Sequence, residues 1–199
     1  MKGMLKLGIV LALYATAACV GLAFVYSATS ETIAIRQQAD LEAALRELFP
    51  EGDDFTDITG TMASLNPAVT FETHYAVRNG ATLIGAAIQT SAASYGGTLK
   101  VLVGVGADGR ISRVKILEHQ DTPGLGANAA SPTYYVDKSK NITFYGQFAG
   151  KSVQDPFEVK GDVAAITAST ITSQAVTGAV KAAGDAASTW LADQTGGAQ

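Results

Sequence analysis

The chain has 199 residues, enough for one anchor and one compact domain. Apolar residues make up 47% of it, so a core can be built, and a formal charge of -4 offers no basic stripe of the kind nucleic acid requires. Cys19 is the single cysteine, which excludes an intramolecular disulfide and a thiolate zinc cage. His74 and His119 lack ligand-spaced partners, so no structural metal is expected.

Leu7 to Tyr26 carries no charge. As a helix it spans about 30 Å, the thickness of a hydrocarbon core. Lys2 and Lys6 precede it and Glu31 is the first acid beyond it. The positive-inside rule then puts the N-terminus in the cytoplasm and the rest outside, as a single-pass protein of the cytoplasmic (inner) membrane with its C-terminal domain on the periplasmic side. A cleaved signal peptide has a shorter apolar region, about 7–15 residues, and Val25-Tyr26-Ser27 is a weak cleavage site. Cys19 sits mid-span, with Val20, Leu22 and Phe24 beyond it, which suits a small membrane-helix residue better than a lipid attachment point.

Ser27 to Pro50 reads as helix, with Ile33, Leu41, Leu45, Leu48 and Phe49 near one stripe and Pro50 and Gly52 stopping it. Glu51 to Pro67 is acidic and turn-rich, with few strand signals. Asn79-Gly80 predicts a type I′ turn between strands at Phe71–Val77 and Leu83–Thr90. His74, in the first of these, is expected to be an ordinary strand histidine with its hydrogen bonds satisfied. After the loop SAASYGG, a second hairpin is expected at Thr98–Val105 and Ile111–Leu117 around Ala107-Asp108-Gly109. Both faces of that hairpin carry apolar residues, so helices should partly cover the sheet.

Asp121 to Ser152 reads as loop, with a short strand at Ile142–Tyr145. From Thr172 the chain is expected to be helical, since Val176, Ala179, Val180, Ala183, Ala187, Trp190 and Leu191 recur at three- and four-residue steps. The tail Gln194–Gln199 is Gly-rich and expected to fray. The fold class is thus α+β: a transmembrane helix at 1–27, a helical connector at 28–50, and an extracytoplasmic domain at 51–199 of antiparallel hairpins and packed helices.

Gly104-Val105-Gly106-Ala107-Asp108-Gly109 spells GxGxxG after a strand. Dinucleotide binding needs a helix to follow, and Ile111 to Leu117 has strand character instead, so the glycines are read as a hairpin turn. Two other segments carry more. In His119-Gln120-Asp121-Thr122-Pro123-Gly124-Leu125-Gly126, Pro123-Gly124 sets a tight turn and Gly126 permits close backbone approach. In Thr167-Ala168-Ser169-Thr170-Ile171-Thr172-Ser173, five of seven positions are hydroxyl residues. One or two of these suffice to cap a helix. A helix N-terminus also favours an anion, so a phosphate tethered to one of these hydroxyls would be well placed. The residues alone do not choose among the five.

Together these pieces resemble the FMN-binding subunit family shared by the Rnf-type ferredoxin:NAD oxidoreductase, as its G subunit, and the Na+-translocating NADH:quinone reductase, as its C subunit. The resemblance runs from the N-terminal span through Ser94-Tyr95-Gly96-Gly97, the LVGVGADGRI hairpin, the HQDTPGLG loop, Phe148-Ala149-Gly150-Lys151 and Val159-Lys160-Gly161-Asp162 to ITASTITSQAV. In the family the last segment reads SGATxTSxAV, and its threonine carries FMN through the phosphate. That register implies a phosphoester at Thr170, flanked by Ser169, Ile171 and Thr172. It implies a flavin-facing loop of His119, Thr122, Pro123, Gly124, Leu125 and Gly126, with Tyr95 nearby. Thr167 stands where the family has Ser, Ala168 where it has Gly, Ser169 where it has Ala, and Ala164 at a position often acidic.

The resemblance implies a redox subunit with covalent FMN, not catalytic by itself, loaded by a flavin transferase and relaying electrons to integral-membrane and iron-sulfur subunits of an ion-translocating complex. The compact length suits the Rnf-type subunit. A C-type quinone reductase subunit, a stand-alone exported flavoprotein and an anchored binding module without flavin remain the alternatives.

Overall fold

A computed structural model describes residues 2–196. The chain divides into two compact units, Met1–Glu42 and Ala43–Gln199. Helix α1 (Lys2–Leu48) supplies the first unit and the opening of the second. In the first unit the apolar face has few polar atoms to hide. The hydroxyls of Thr16 and Thr29 donate back to the carbonyls of Ala12 and Val25, each at 2.8 Å, which satisfies them inside the helix. Among the described residues, this is the one helix long and apolar enough to cross a membrane.

The second unit is built on an antiparallel meander in the order β1-β2-β3-β4-β5: β1 (Asp54–Asp57), β2 (Val69–Asn79), β3 (Thr82–Ala93), β4 (Thr98–Gly106) and β5 (Ile111–Glu118). A long helix, α2 (Thr170–Gly196), packs across β3 and β4. Alternation in the strands sorts the side chains. Ile88, Val101, Val103 and Val105 bury fully on the α2 side, against Val176, Ala179, Val180 and Ala183. On the opposite face Ala87 and Leu102 are equally buried, and the ring of Phe49 lies over Gly85 and Gly104. The last turn of α1 is pinned to β5, where Ser112 donates to the Leu48 carbonyl at 2.8 Å and Lys115 pairs with Glu47. A sheet covered on both faces accounts for apolar residues on both sides of the second hairpin.

Between β5 and α2 the chain forms 3-10 turns at Gly126–Ala130 and Tyr145–Phe148, and a small hairpin of β6 (Tyr135–Asp137) and β7 (Ile142–Thr143). Its core is aromatic. Phe148 meets Phe144 edge-on at 5.8 Å and stacks on Phe157 at 6.3 Å. The ammonium groups of Lys151 and Lys181 sit 5.9 and 5.7 Å from the Phe157 ring. These contacts hold Phe157 at φ 55°, a backbone conformation a bulky side chain otherwise avoids.

Several expectations change. β1 forms in the segment read as turn-rich, because an edge strand of Asp-Phe-Thr-Asp pairs through backbone alone and leaves no apolar alternation to read. Asn79 stays in β2, paired with Thr82, so the turn centres on Gly80-Ala81. Only Gly80 there has positive φ, 56°, which is the type II′ pattern and not type I′. The strand expected at Ile142–Tyr145 ends at Thr143, and Tyr145 opens a 3-10 turn. Helix α2 begins at Thr170, two residues before the expected start, and continues to Gly196 through part of the tail read as frayed; residues 197–199 lie outside the described residues. His74 is buried, yet neither ring nitrogen has a hydrogen-bond partner among the described residues. Its ring instead meets Phe71 edge-on at 5.6 Å. Burial holds its pKa below the usual histidine value, and the opposing attraction of Asp57 is the weaker influence. The GxGxxG run forms the β4–β5 turn, closed by Gly109 N–H to the Gly106 carbonyl at 3.0 Å.

Candidate functional site

Three segments of the second unit meet at the N-terminus of α2. The first is the turn after β3, closed by Ser94 N–H donating to the Gly97 carbonyl at 2.8 Å. The second is the loop after β5. There Leu125 N–H donates to the Thr122 carbonyl at 3.1 Å, and Gly124 at φ 79° completes the Pro-Gly turn. The third is the entry to α2.

Two hydrogen bonds of one serine organise that entry. Ser173 Oγ accepts from Ile166 N–H at 3.0 Å and donates to the Ser169 carbonyl at 2.9 Å, so a fully buried hydroxyl ties the first turn to the chain leading into it. Ala168 adopts φ 58° to make the bend. The Ser169 carbonyl accepts the first helical bond, from Ser173 N–H at 3.0 Å. That leaves the amides of Thr170, Ile171 and Thr172 without a partner among the described residues, as the start of any helix requires. Upstream, Gln147 grips both backbone groups of Ala164, at 2.7 and 3.1 Å. Asp162 holds the preceding bend. Burial works against its charge, but hydrogen bonds from Lys151 Nζ at 2.9 Å and Glu158 N–H at 2.6 Å outweigh that and keep its carboxyl below the usual range.

A cleft of about 460 Å³ opens where the three segments meet. One wall is Tyr95, a second is Asp121, Thr122, Leu125 and Gly126, and the third is Ala168 to Thr172. Tyr95, Leu125 and Ile171 are 75%, 42% and 53% exposed, so the mouth is rimmed by apolar groups. A built Cβ on Gly126 would come within 2.6 Å of Thr172 Oγ1, so only glycine allows the loop to reach the helix there. His119, Pro123 and Gly124 do not line the cleft. His119 lies half-buried with Nδ1 unpartnered among the described residues, and Gly124 faces open space.

The five hydroxyls are not equivalent. Ser169, Thr172 and Ser173 are buried, Thr167 is exposed but outside the cleft, and Thr170 is half-buried and lines it. Among the described residues, no lysine, arginine or histidine lines the cleft. The sequence reading did not single out Asp121 or Ala168. The signal for Asp121 was an acid directly before a tight turn, a place where a carboxylate collects backbone amides.

A cleft of this size, with apolar edges for a flat ring and free amides for a phosphate, fits FMN. Residues 94–185 match the FMN-binding domain family, and residues 1–48 match the RnfG N-terminal region. The G subunit of the proton-translocating ferredoxin:NAD(+) oxidoreductase complex of Clostridium ljungdahlii is 32% identical over 168 residues, covering 81% of this chain and 80% of the relative. In Acetobacterium woodii, the G subunit of the Na(+)-translocating ferredoxin:NAD(+) oxidoreductase complex is 31% identical over 196 residues, covering 90% and 89%. In Methanosarcina acetivorans, the G subunit of an ion-translocating oxidoreductase complex is 28% identical over 189 residues, covering 92% and 94%. The chain belongs to the G-subunit family of Rnf-type ion-translocating oxidoreductases, with an FMN-binding domain behind a single membrane-spanning helix.

Proposed function

We propose that this chain is the flavin-carrying electron-transfer subunit of an Rnf-type ion-translocating ferredoxin:NAD oxidoreductase complex, with FMN esterified through its phosphate to Thr170. The observation that carries the attachment site is accessibility: of the five hydroxyls, only Thr170 combines solvent access with a place in the cleft wall.

The electrostatics favour a tether. Free FMN brings a phosphate dianion to a cleft lined by no cationic side chain among the described residues, where the first-turn amides and dipole are worth about 0.3–1 kcal/mol if exposed. That is too weak to retain the cofactor. A phosphodiester at Thr170 carries one charge fewer and leaves its oxygens beside those same amides. A threonine hydroxyl is a poor nucleophile without a base. Among the described residues the one carboxyl lining the cleft, Asp121, has its oxygens engaged by Ser94 and Gly96. A separate flavin transferase is therefore the expected source of both base and activated FMN. The bond from Thr170 Oγ1 to phosphorus forms as the donor's leaving group departs and the base takes the hydroxyl proton.

Bound FMN supplies the redox chemistry, accepting and passing on electrons. The protein's part is to hold it. Tyr95, Leu125 and Ile171 offer apolar edges to a flat ring, and Thr122 and Gly126 bring loop backbone to the cleft. The integral-membrane and iron-sulfur subunits of the complex are the proposed exchange partners. Lys2 and Lys6, ahead of the span, support an orientation with the domain outside the cytoplasm, on the periplasmic side of the inner membrane. A reporter active only outside the cytoplasm, fused after Gln199, should be active; activity of a cytoplasm-only reporter at that position refutes this orientation.

The attachment is tested by co-production with a flavin transferase. Wild-type chain should show flavin fluorescence in a denaturing gel, and Thr170→Ala should lose it, while Thr167→Ala retains it. Peptide mass spectrometry locates the modification. FMN on Ser169 or Thr172, or a fully flavinylated Thr170→Ala protein, overturns the assignment. A wild-type chain without any flavin would favour the anchored binding module.

A further inference from the structure

One buried carboxylate ties the walls of the cleft together, reaching the third through Ser94. Asp121 is 6% exposed and sits directly before the Pro-Gly turn. Its Oδ1 accepts from Gly96 N–H at 2.7 Å, and its Oδ2 accepts from Ser94 Oγ at 2.6 Å. Ser94 Oγ lies 3.2 Å from Thr172 Oγ1, in the first turn of α2. A hydroxyl has one hydrogen. Ser94 directs its own mainly to the carboxylate, the nearer and stronger acceptor, and makes the longer contact to Thr172 Oγ1. The chain Thr172 to Ser94 to Asp121 thus links α2, the Tyr95 turn and the loop after β5 through side chains that are themselves buried or half-buried.

The exposure of Tyr95 is the second observation. Its ring is among the most exposed large side chains of the second unit, yet both residues beside it are fixed by Asp121. A built Cβ on Gly96 would collide with the Gln120 carbonyl and come within 2.7 Å of Asp121 Cα, so the turn is seated directly on the neighbouring loop. Mobile surface turns carry exposed aromatic rings without such anchoring. A ring held out over a cleft on an immobilised backbone is arranged to meet something flat.

We infer that Asp121 is a positioning residue for the flavin: it sets the spacing of the Tyr95 turn and the α2 first turn on either side of the ring, without contacting the reacting atoms. The inference rests on the FMN reading above. It distinguishes charge from geometry. In Asp121→Asn, the amide oxygen can still accept from Gly96 while the NH2 donates to Ser94, which then donates to Thr172. The clamp survives. In Asp121→Ala it is lost, and in Ser94→Ala the link to α2 alone is cut.

The test uses the full chain in detergent. Hydrogen exchange of peptides containing Gly96 is measured on protein produced without transferase, and flavin fluorescence anisotropy and midpoint potential on flavinylated protein. Asp121→Ala should speed exchange at Gly96 at least tenfold, lower the anisotropy and shift the potential. Asp121→Asn should retain wild-type anisotropy and near wild-type exchange. Ser94→Ala should keep Gly96 protected but lower the anisotropy, which decides the matter if Asp121→Ala does not fold. Wild-type exchange and anisotropy in Asp121→Ala, wild-type anisotropy in Ser94→Ala, or an Asn variant as loose as the Ala variant would overturn the inference. Failure of the FMN reading is separable, because a wild-type chain without flavin would still give the exchange result.

Discussion

Ala168 stands at φ 58°, in the left-handed region that favours glycine. An L-residue in this conformation costs about 1–2 kcal/mol, because Cβ crowds the following carbonyl. Ala168→Gly removes that strain. It also frees the unfolded chain, which offsets about 0.4–1 kcal/mol. The Ala168 side chain is exposed, so its methyl contributes little burial to be lost. The balance is about 0.5–1 kcal/mol in favour of glycine. For a domain of this size that raises the melting temperature by about 1–4 °C. The assay is thermal unfolding of the full chain in detergent, with Thr167→Gly as the control. Thr167 is equally exposed but has no positive φ, so glycine there should lower the melting temperature. If Ala168→Gly melts at or below wild type, and no better than Thr167→Gly, then the bend is not strained and the reasoning fails.

Three further outcomes are expected. His74 has a depressed pKa in the folded state, so the unfolded chain binds its proton first and stability is lost as pH falls below the ordinary value of 6.5; His74→Leu should show a smaller drop in melting temperature between pH 7.5 and 5.5, and an unchanged drop would remove His74 as its source. Asp162 also has a depressed pKa, so its contribution is present above the unfolded value and lost as pH falls toward the folded one; Asp162→Asn should cost about 1 kcal/mol in denaturant unfolding near pH 7, given a partly screened ion pair, and a cost that is equal at acid pH would contradict this. Gly126→Ala forces a methyl against Thr172 Oγ1 and Asp121, so it should loosen the loop and lower flavin anisotropy in the loaded protein; wild-type anisotropy with wild-type stability would show that the loop can give way freely.

The strands β2 to β5 and the helix α2 were legible because each buries an apolar set at its own period, two in the strands and three to four in the helix. β1 was not, since Asp54–Asp57 contributes hydrogen bonds to β2 and almost no burial. The turn type at Gly80 was hidden for a related reason. Asn-Gly is compatible with two registers, and the pairing of Asn79 with Thr82 selects one. The start of α2 was read two residues late because Thr170 and Ile171 precede the apolar stripe, while the capping that begins the helix comes from Ser173, four residues inside it. His74 was misread because nothing in the neighbouring sequence reveals that its ring faces Phe71 instead of a polar partner.

The site divides along the same line. Local chemistry pointed to the hydroxyl-rich entry of α2 and to the Pro-Gly loop, since turns and caps are written in adjacent residues. What joins them is not adjacent. Asp121 meets Ser94 across 27 positions, and Ser94 meets Thr172 across 78. Such links exist only once the meander brings the ends of β3 and β5 to the foot of α2. Five hydroxyls in seven positions look redundant in a sequence, and the fold gives them separate duties. The Ser173 hydroxyl closes the entry bend and the Thr172 hydroxyl joins the buried relay, while Ser169 and Thr167 are held through their backbone, the Ser169 carbonyl accepting the first helical bond and Thr167 N–H meeting the Tyr134 hydroxyl at 3.2 Å. Thr170 is the one of the five that lines the cleft without being buried, and its hydroxyl has no partner among the described residues. A hydroxyl that the fold leaves unused, beside amides that the fold leaves unpaired, is the arrangement an esterified phosphate needs.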